Sequence, residues 1–243
     1  MDNVKVCRVQ HLGLIPYQIA WDYQNQLAQE IAAGSRPDTL LLLEHPHVFT
    51  LGRKARMEHL LWDRNQMERA GVMALAVDRG GDITYHGPGQ LVGYPLLRLA
   101  PIGWQGNHLP EADFVGYIRR LETVLIEGLS QLGIHGSRRD GMTGVWVPDH
   151  DGAGWVKIAS IGVKVDAGGI TRHGFAVNID PDPTFWGGIV PCGLKDVRMT
   201  SMAAWLQKAV DEGLVREALV ASFASVFNYR MVSEESRFGE RSA

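Results

Sequence analysis

Residues 79–95, RGGDITYHGPGQLVGYP, constrain the fold more than any other stretch of this chain. Four glycines and one proline fall within residues 79–89, and an apolar segment lies on each side of them. Glycine permits positive φ and close approach of backbones, while proline fixes a turn. An ordinary tight connection between strands would need only such turn residues. This stretch also carries polar side chains, so we interpret it as a binding loop. They are Arg79, Asp82, Thr84, Tyr85, His86 and Gln90.

Composition limits the classes of function that remain. The 243 residues, 45% apolar and 21% charged, fit one large globular domain. A formal net charge of −3 argues against nonspecific nucleic-acid binding. No apolar run approaches the ~20 residues of a membrane span, and the first residues lack a signal-peptide core. Two cysteines, Cys7 and Cys192, cannot build a disulfide framework, so we expect a cytoplasmic protein.

The spacing of apolar residues predicts alternating strands and helices, and hence one α/β domain over residues 1–232. Its end, about residues 199–232, is predicted to be a small C-terminal helical lobe, and residues 233–243 a disordered tail. The predicted strands are Val4–Val9, Thr39–Leu43, Val72–Val77, Leu91–Leu99, Val145–Val147, Trp155–Val165 and Thr171–Ile179. Helices are predicted from Pro16 to Gly34 (with Ile19, Tyr23, Leu27 and Ile31 on one face), at Leu60–Ala70, at Asp113–Leu132, and twice after Thr200 or Ser201.

Lys157 stands out within the predicted strand Trp155–Val165. Strand alternation places it on the same face as Ala159, Ile161 and Val163. A lysine on an apolar face is expensive to bury. Either its ammonium reaches water at the strand end, or it is desolvated enough to shift its pKa and exchange protons.

Cys192 lies between Pro191 and Gly193 in an irregular segment, which favours an exposed thiol. A free cysteine is often a small buried hydrophobe, and we assign that role to Cys7. A thiol becomes a good nucleophile when a nearby cation or base produces the thiolate. Lys157 could be that group, which spacing alone does not establish.

Other site chemistries lack a matching pattern. The nine histidines show no HExxH spacing and there is no CxxC, so we expect no metal and no cofactor. A P-loop lysine motif, a Rossmann fingerprint and a G-x-S-x-G elbow are also missing from the sequence.

Four motifs in this order make the chain resemble the lipoyl(octanoyl) transferases. They are LEHPHVFTLGR at residues 43–53, RGGDITYHGPGQ at 79–90, KIASIG at 157–162 and PCG at 191–193. The resemblance runs from about residue 10 to about residue 210, and this chain departs from it mainly at residues 148–154 and in the tail. It implies an α/β fold shared with lipoate and biotin protein ligases, in which helices flank a mixed β-sheet.

The resemblance also implies a two-step acyl transfer. An octanoyl group would pass from acyl carrier protein to Cys192 as a thioester. It would then pass to a lysine of a lipoyl domain, in a 2-oxoacid dehydrogenase E2 subunit or glycine cleavage H protein. Lys157 would lower the thiol pKa and shuttle protons. The acyl pocket would comprise Arg79, Gly80, Gly81, Asp82, Ile83, Thr84, Tyr85, His86, Ser160, Ile161, Gly162, Gly174, Phe175 and Ala176.

Two alternative functions stay open on the sequence. An ATP-dependent lipoate or biotin ligase would use a lysine in this strand but needs no cysteine at position 192. A noncatalytic binder of acylated carrier protein would leave the thiol inert. Acidic partners would require a local basic patch on this mildly acidic chain, and the candidates are Arg53, Lys54 and Arg56, then Arg138 and Arg139.

Overall fold

A computed structural model describes residues 4–99, 111–152, 154–193 and 197–238, with only the backbone at 111–113 and 192. The strands are β1 (Lys5–Leu14), β2 (Asp38–Glu44), β3 (Val48–Leu51), β4 (Met73–Ala76), β5 (Ile83–His86), β6 (Gln90–Leu96), β7 (Ser137–Arg139), β8 (Met142–Pro148), β9 (Trp155–Val165), β10 (Thr171–Asn178), β11 (Arg198–Met199) and β12 (Tyr229–Ser233). The helices are α1 (Tyr17–Ala32), α2 (Arg64–Arg69), α3 (Glu111–Gln131), α4 (Met202–Leu206) and α5 (Glu212–Phe227). Short 3₁₀ turns lie at Met57–His59, Pro183–Gly188 and Pro191–Gly193.

The strands form a large sheet and a small one. The large sheet has the order β12-β1-β2-β6-β10-β9-β8-β7, with β11 beside β9, and the small sheet has the order β4-β3-β5. Parallel pairs such as β1–β2 and antiparallel pairs such as β2–β6 occur in the same large sheet. The predicted fold class, a mixed sheet flanked by helices, is therefore confirmed.

Strand β2 shows how the core is divided between the two faces of the large sheet. Its leucines alternate, because successive side chains of a strand point to opposite faces. Leu40 and Leu42 join the cluster that also contains residues of α3 and α5. Leu41 and Leu43 join the cluster that contains α1. The C-terminal helix α5 thus packs in one core with α3. No helix among the described residues is long and apolar enough to cross a membrane.

The buried stripe of α1 differs from the predicted one. Tyr23, Leu27 and Ile31 are buried as expected, but Ile19 is 45% exposed. Each step of four residues turns a helix by about 40° beyond a full turn, so a series of such steps drifts around the axis. The buried stripe is centred near Leu27 and Ile31, which leaves Ile19 outside it. Its other buried members are Tyr17, Ala20, Gln24 and Ala28.

The predicted helix at residues 60–70 is too long. Helix α2 starts only after Asp63, whose carboxylate accepts from Gln66 N at 2.8 Å while the Gln66 side chain accepts from Asp63 N. The backbone before this capping box is used elsewhere. Leu60 bridges Ile189, and the N–H of Leu61 donates to Gly188 O at 2.8 Å. Pairing with the segment that leads to Cys192 therefore replaces the first helical turn.

The predicted disordered tail is tied down over its first part. Ser233 ends β12, which runs parallel to β1. The Glu234 carboxylate accepts hydrogen bonds from the guanidinium groups of Arg8 and Arg36. The ring of Phe238 contacts Tyr23 edge-on at 5.2 Å. A charge pair and an apolar contact therefore order residues 233–238, and the rest of the predicted tail lies outside the described residues.

We predict that Glu234→Ala lowers the free energy of unfolding by about 1–2 kcal/mol, because it removes the carboxylate that accepts hydrogen bonds from two guanidinium groups. Chemical denaturation followed by fluorescence measures the change. Glu235→Ala is the matched control, since that neighbouring side chain is exposed. The free energy of unfolding of this variant should stay within ~0.5 kcal/mol of the wild-type value. Equal values for the two variants would contradict the assigned role of Glu234.

Candidate active site

A narrow cavity lies between the small sheet and the large sheet, with a free volume of ≈ 40 Å³. Side chains of β5 form one wall and residues of β6, β9 and β10 form the other. Its lining residues are Tyr17, Arg79, Thr84, His86, Val92, Tyr94, Ser160, Ile161, Gly162, His173, Gly174, Phe175 and Ala176. Seven of these thirteen residues carry a polar or charged group, and four supply the apolar part of the wall.

Nine of the fourteen residues predicted from the resemblance line this cavity: Arg79, Thr84, His86, Ser160, Ile161, Gly162, Gly174, Phe175 and Ala176. Ile83 and Tyr85 instead belong to the core of the small sheet. A strand cannot turn consecutive side chains to one side, so β5 presents only Thr84 and His86. From Arg79 to His86, the residues that line the cavity are therefore Arg79, Thr84 and His86.

Arg79 braces the loop from within. It is 6% exposed, and its guanidinium donates to Thr50 O at 2.6 Å, to Thr50 Oγ1 at 2.8 Å and to Gly80 O at 2.9 Å. These bonds fix the loop to β3. The turn after β3 sits directly on the loop, because a Cβ at Gly52 would lie 2.4 Å from Gly81 O. Glycine at position 52 is therefore a packing requirement of the motif.

A hydrogen-bonded group of tyrosines and histidines closes the α1 side of the cavity. Tyr17 Oη lies 3.1 Å from His173 Nδ1, and His173 Nε2 lies 2.6 Å from Asp78 Oδ1. His45 Nδ1 lies 2.7 Å from Ile15 O and its Nε2 lies 2.7 Å from Tyr94 Oη. Because a carbonyl only accepts, His45 carries its proton on Nδ1 and accepts from Tyr94. Sequence reasoning did not include Tyr17, Tyr94 or His173 in the pocket.

Burial keeps these histidines neutral. It lowers the pKa of His45 to about 4 and lowers the pKa of His86 well below its usual value. The pKa of His173 is also lowered by burial, although Asp78 opposes the shift. Hydrogen bonding from His173, together with Lys164, in turn lowers the pKa of Asp78. Among the described residues, no group of three or more His, Cys, Asp or Glu side chains is arranged to hold a metal ion.

Lys157 is buried on β9, with 3% of its surface exposed. Its backbone pairs with Trp146 of β8 on one side and Met199 of β11 on the other. The ammonium nitrogen lies 5.3 Å from the centroid of the Trp146 ring, within cation–π range. The fold therefore encloses this side chain, which does not extend into water at the strand end.

The Cys192 side chain lies outside the described part of the structure, but the backbone of its turn does not. The turn Pro191–Gly193 is preceded by a bond from Val190 N to His59 O at 2.8 Å. Gly193 has φ of 70°, and a Cβ there would lie 2.5 Å from Asp82 Oδ2. The turn therefore rests on the loop that lines the cavity.

Asp82 supports this turn instead of lining the cavity. Its Oδ2 lies 2.6 Å from His59 Nδ1, and its Oδ1 accepts from Ile83 N at 2.8 Å and Arg56 N at 3.2 Å. Sequence reasoning considered His59 only as a possible metal ligand. Its contacts with Asp82 and Gly193 join segments far apart in the chain, so no local pattern could have indicated them.

Comparison with known proteins now places the chain. Residues 16–224 match the model of the lipoyl protein ligase A/B catalytic domain. The chain belongs to this family. It is 44% identical to an octanoyltransferase of Chloroflexus aggregans over 230 residues, which cover 95% of this chain and 99% of that protein. It is 40% identical to an octanoyltransferase of Corynebacterium glutamicum, over 95% of this chain and 86% of that protein. The family predicted from the four motifs is confirmed.

Solved structures of this catalytic-domain family share the fold. A bipartite lipoate protein ligase from Thermoplasma acidophilum has a TM-score of 0.70 at 17% identity, over 96% of this chain and 88% of that one. A lipoate-protein ligase A bound with ATP has a TM-score of 0.67 at 16% identity, over 95% and 89%. At such low identity these likenesses establish the architecture alone.

The two candidate basic patches differ in the contacts that their side chains make within the fold. Arg53, Lys54 and Arg56 are exposed on the turn after β3. Arg138 instead binds the fully buried Glu122 at 3.0 Å, and the Arg139 guanidinium lies over the Trp155 ring at 5.0 Å. Arg138 is itself exposed, so both patches reach solvent, but Arg138 and Arg139 are each held by a contact within the fold.

The neutral His45 predicts an acid-sensitive fold. Its folded pKa of about 4 lies below the unfolded value of 6.5, so the unfolded chain binds more protons as pH falls from 7. The contribution of His45 to the free energy of unfolding should therefore be complete near pH 7 and decline toward pH 4. Between pH 7 and 4.5, we expect wild type to lose about 2 kcal/mol more than His45→Gln. Urea unfolding at both pH values measures this, with exposed His135→Gln as control. Parallel losses in wild type and His45→Gln would refute it.

Proposed function

We propose that this protein is an octanoyltransferase: it moves an octanoyl group from acyl carrier protein to Cys192, and then to a lysine of a lipoyl domain. The observation that carries the proposal is the contact of Gly193 with Asp82. Through it, the cysteine turn and the cavity-lining loop form one structure. The octanoyltransferases that share 40–44% of its sequence support the same activity.

Part of the cavity wall suits an aliphatic chain, and the cavity of ≈ 40 Å³ would have to widen to admit eight carbons. Val92, Ile161, Phe175 and Ala176 are among its lining residues. Burying a methylene contributes about 0.8 kcal/mol, so an acyl chain gains binding free energy along such a wall. Burial lowers the pKa of the lining residues His86 and His173, which leaves Arg79 as the charged group of the wall.

The chemistry needs a thiolate first and an amine second. The Cys192 sulfur attacks the donor thioester carbonyl, the new C–S bond forms, and the carrier thiolate leaves and takes a proton. The acceptor lysine amine then attacks the enzyme thioester, forms an amide and returns the thiol. The first exchange is nearly isoenergetic and the second is downhill, so no nucleotide is required. Lys157 would stabilise the thiolate and relay the protons.

Cys7 provides a contrast with Cys192. It is fully buried in β1, and burial raises its thiol pKa. It is therefore the wrong thiol for nucleophilic attack.

We predict one octanoyl group on Cys192 after incubation with octanoyl-acyl carrier protein, measured by intact mass and peptide mapping. Cys7→Ser should acquire the same adduct and Cys192→Ala none. Octanoate with ATP is the second donor. An adduct that appears only with ATP would identify a ligase, and a wild-type protein that stays unmodified with both donors would indicate a noncatalytic binder.

The turn after β3 is the surface we propose for docking of the acidic partners. Arg53, Lys54 and Arg56 lie there, followed by Met57 and Leu61, which are 66% and 54% exposed. The backbone of residues 59–62 pairs with residues 188–190, just before the cysteine turn. Positive charge and exposed apolar surface therefore border the point where an acyl group would arrive.

Charge reversal of Arg53, Lys54 and Arg56 to Glu should raise KM for octanoyl-acyl carrier protein roughly tenfold or more and flatten its salt dependence, because steering acts on association. Turnover at saturation should change little. Steady-state kinetics with this donor and with a small octanoyl thioester separate docking from chemistry. Lys5→Glu with Arg230→Glu, at the β12 edge of the large sheet, is the control. Equal losses with both donors would mean that the cluster shapes the pocket.

A further inference from the structure

Glu122 is a fully buried carboxylate that the chemistry above does not use. It lies on α3 and accepts three hydrogen bonds: from Gly144 N at 3.2 Å, from Arg119 at 2.8 Å and from Arg138 at 3.0 Å. Burying an ion pair is a weak route to stability, since apolar residues of similar volume often serve as well. The bond to Gly144 suggests a different purpose.

Gly144 forms one side of the space occupied by Lys157. A Cβ at this position would lie 2.6 Å from Lys157 Cε and 3.2 Å from its Nζ. Gly144 also has φ of 123°, a backbone conformation that residues other than glycine rarely adopt. The absence of a side chain here leaves room for the end of the lysine.

Trp146 forms another side of that space, and a β-bulge puts it there. Val145 pairs with Ala159, so a regular antiparallel ladder would pair Trp146 with Ile158. The register shifts between Val145 and Trp146, and Trp146 pairs with Lys157 instead. Bulges of this kind re-aim side chains beside active sites. The ring is 2% exposed and lies 5.3 Å from the ammonium.

We propose that Gly144 and Trp146 form a slot that fixes the ammonium of Lys157 for proton transfer, and that Glu122 holds the slot in place. These are positioning residues, since they act through Lys157. The inference rests on the proposed function and adds to it how the lysine is oriented. The aromatic face of Trp146 holds the ammonium at that point, while the hydrogen bond from Gly144 N to Glu122 ties the backbone of β8 to α3.

The test uses the full-length protein and a cycle of variants. Trp146→Leu removes the aromatic face, Trp146→Phe retains one, and each is made with and without Lys157→Ala. Trp155→Leu is the matched control, because its ring contacts Arg139 at 5.0 Å in a second cation–π pair. Readouts are kcat and KM with a small octanoyl thioester, and the pH profile of Cys192 alkylation by iodoacetamide.

In the wild-type background, Trp146→Leu should lower kcat roughly tenfold with KM within about twofold, and move the alkylation profile toward higher pH, as Lys157→Ala does. Trp146→Phe should recover most of the loss, and Trp155→Leu should match wild type. In the Lys157→Ala background, Trp146→Leu should have no further effect, because its influence passes through the lysine.

Glu122 is tested by a pair of variants that separate its acceptor from its charge. Glu122→Gln keeps an oxygen for Gly144 N and should stay near the wild-type profile. Glu122→Ala removes that acceptor and should shift the alkylation profile in the same direction as Trp146→Leu. Thermal unfolding of both variants confirms that the compared proteins are folded.

If Trp146→Leu lowers kcat by the same factor with and without Lys157→Ala, the slot proposal is wrong. Acylation of Cys192 would still support the proposed transferase activity in that case. An alkylation profile that Trp146→Leu leaves unchanged would overturn the slot proposal as well. If Lys157→Ala changes neither kcat nor the pH profile of Cys192 alkylation, Lys157 has no role in the reaction for the slot to support, and the proposal is also refuted. If Cys192 of the wild-type protein is not acylated, by contrast, the proposed function itself is wrong.

Discussion

The buried guanidinium of Arg79 is the contact on which the arrangement of the site depends. Its hydrogen bonds to Thr50 and Gly80 hold the 79–89 loop against the small sheet. Its aliphatic part packs over Gly162 of β9, where a Cβ would approach Arg79 Cδ to 3.0 Å. One side chain thus sets the separation of the two sheets that enclose the cavity. A lysine could not replace it, because the bonds diverge from a rigid fork.

Two further side chains carry charge without lining the cavity, and each supports one of the two groups proposed to react. Asp82 binds His59 and abuts the backbone of the cysteine turn. Glu122 binds Gly144, which flanks Lys157. Both carboxylates join segments that come from different parts of the chain. The proposed nucleophile and the proposed proton carrier are therefore each adjoined by a separate polar contact.

Much of the site was readable from the sequence because its signals are local. Glycines, a proline and polar side chains within residues 79–89 indicated a binding loop. The alternation along Trp155–Val165 gave the exact bounds of β9. Lys157 on the apolar face of that strand and the cysteine between Pro191 and Gly193 marked the reactive candidates. Four motifs in order then gave the family and its mixed sheet, since the motifs span most of the chain.

Tertiary structure alone decided which of these residues share a space. The period-two geometry of β5 sends Thr84 and His86 to the cavity and Ile83 and Tyr85 to a core. The β8 bulge aligns Trp146 with Lys157. Sequence spacing fixes the face of a residue within its own element, which is why the long strands and the helices were predicted, whereas the short strands β3, β5, β7, β11 and β12 were not. It does not fix register between strands or contacts between distant segments, because those follow from packing the whole chain into one core.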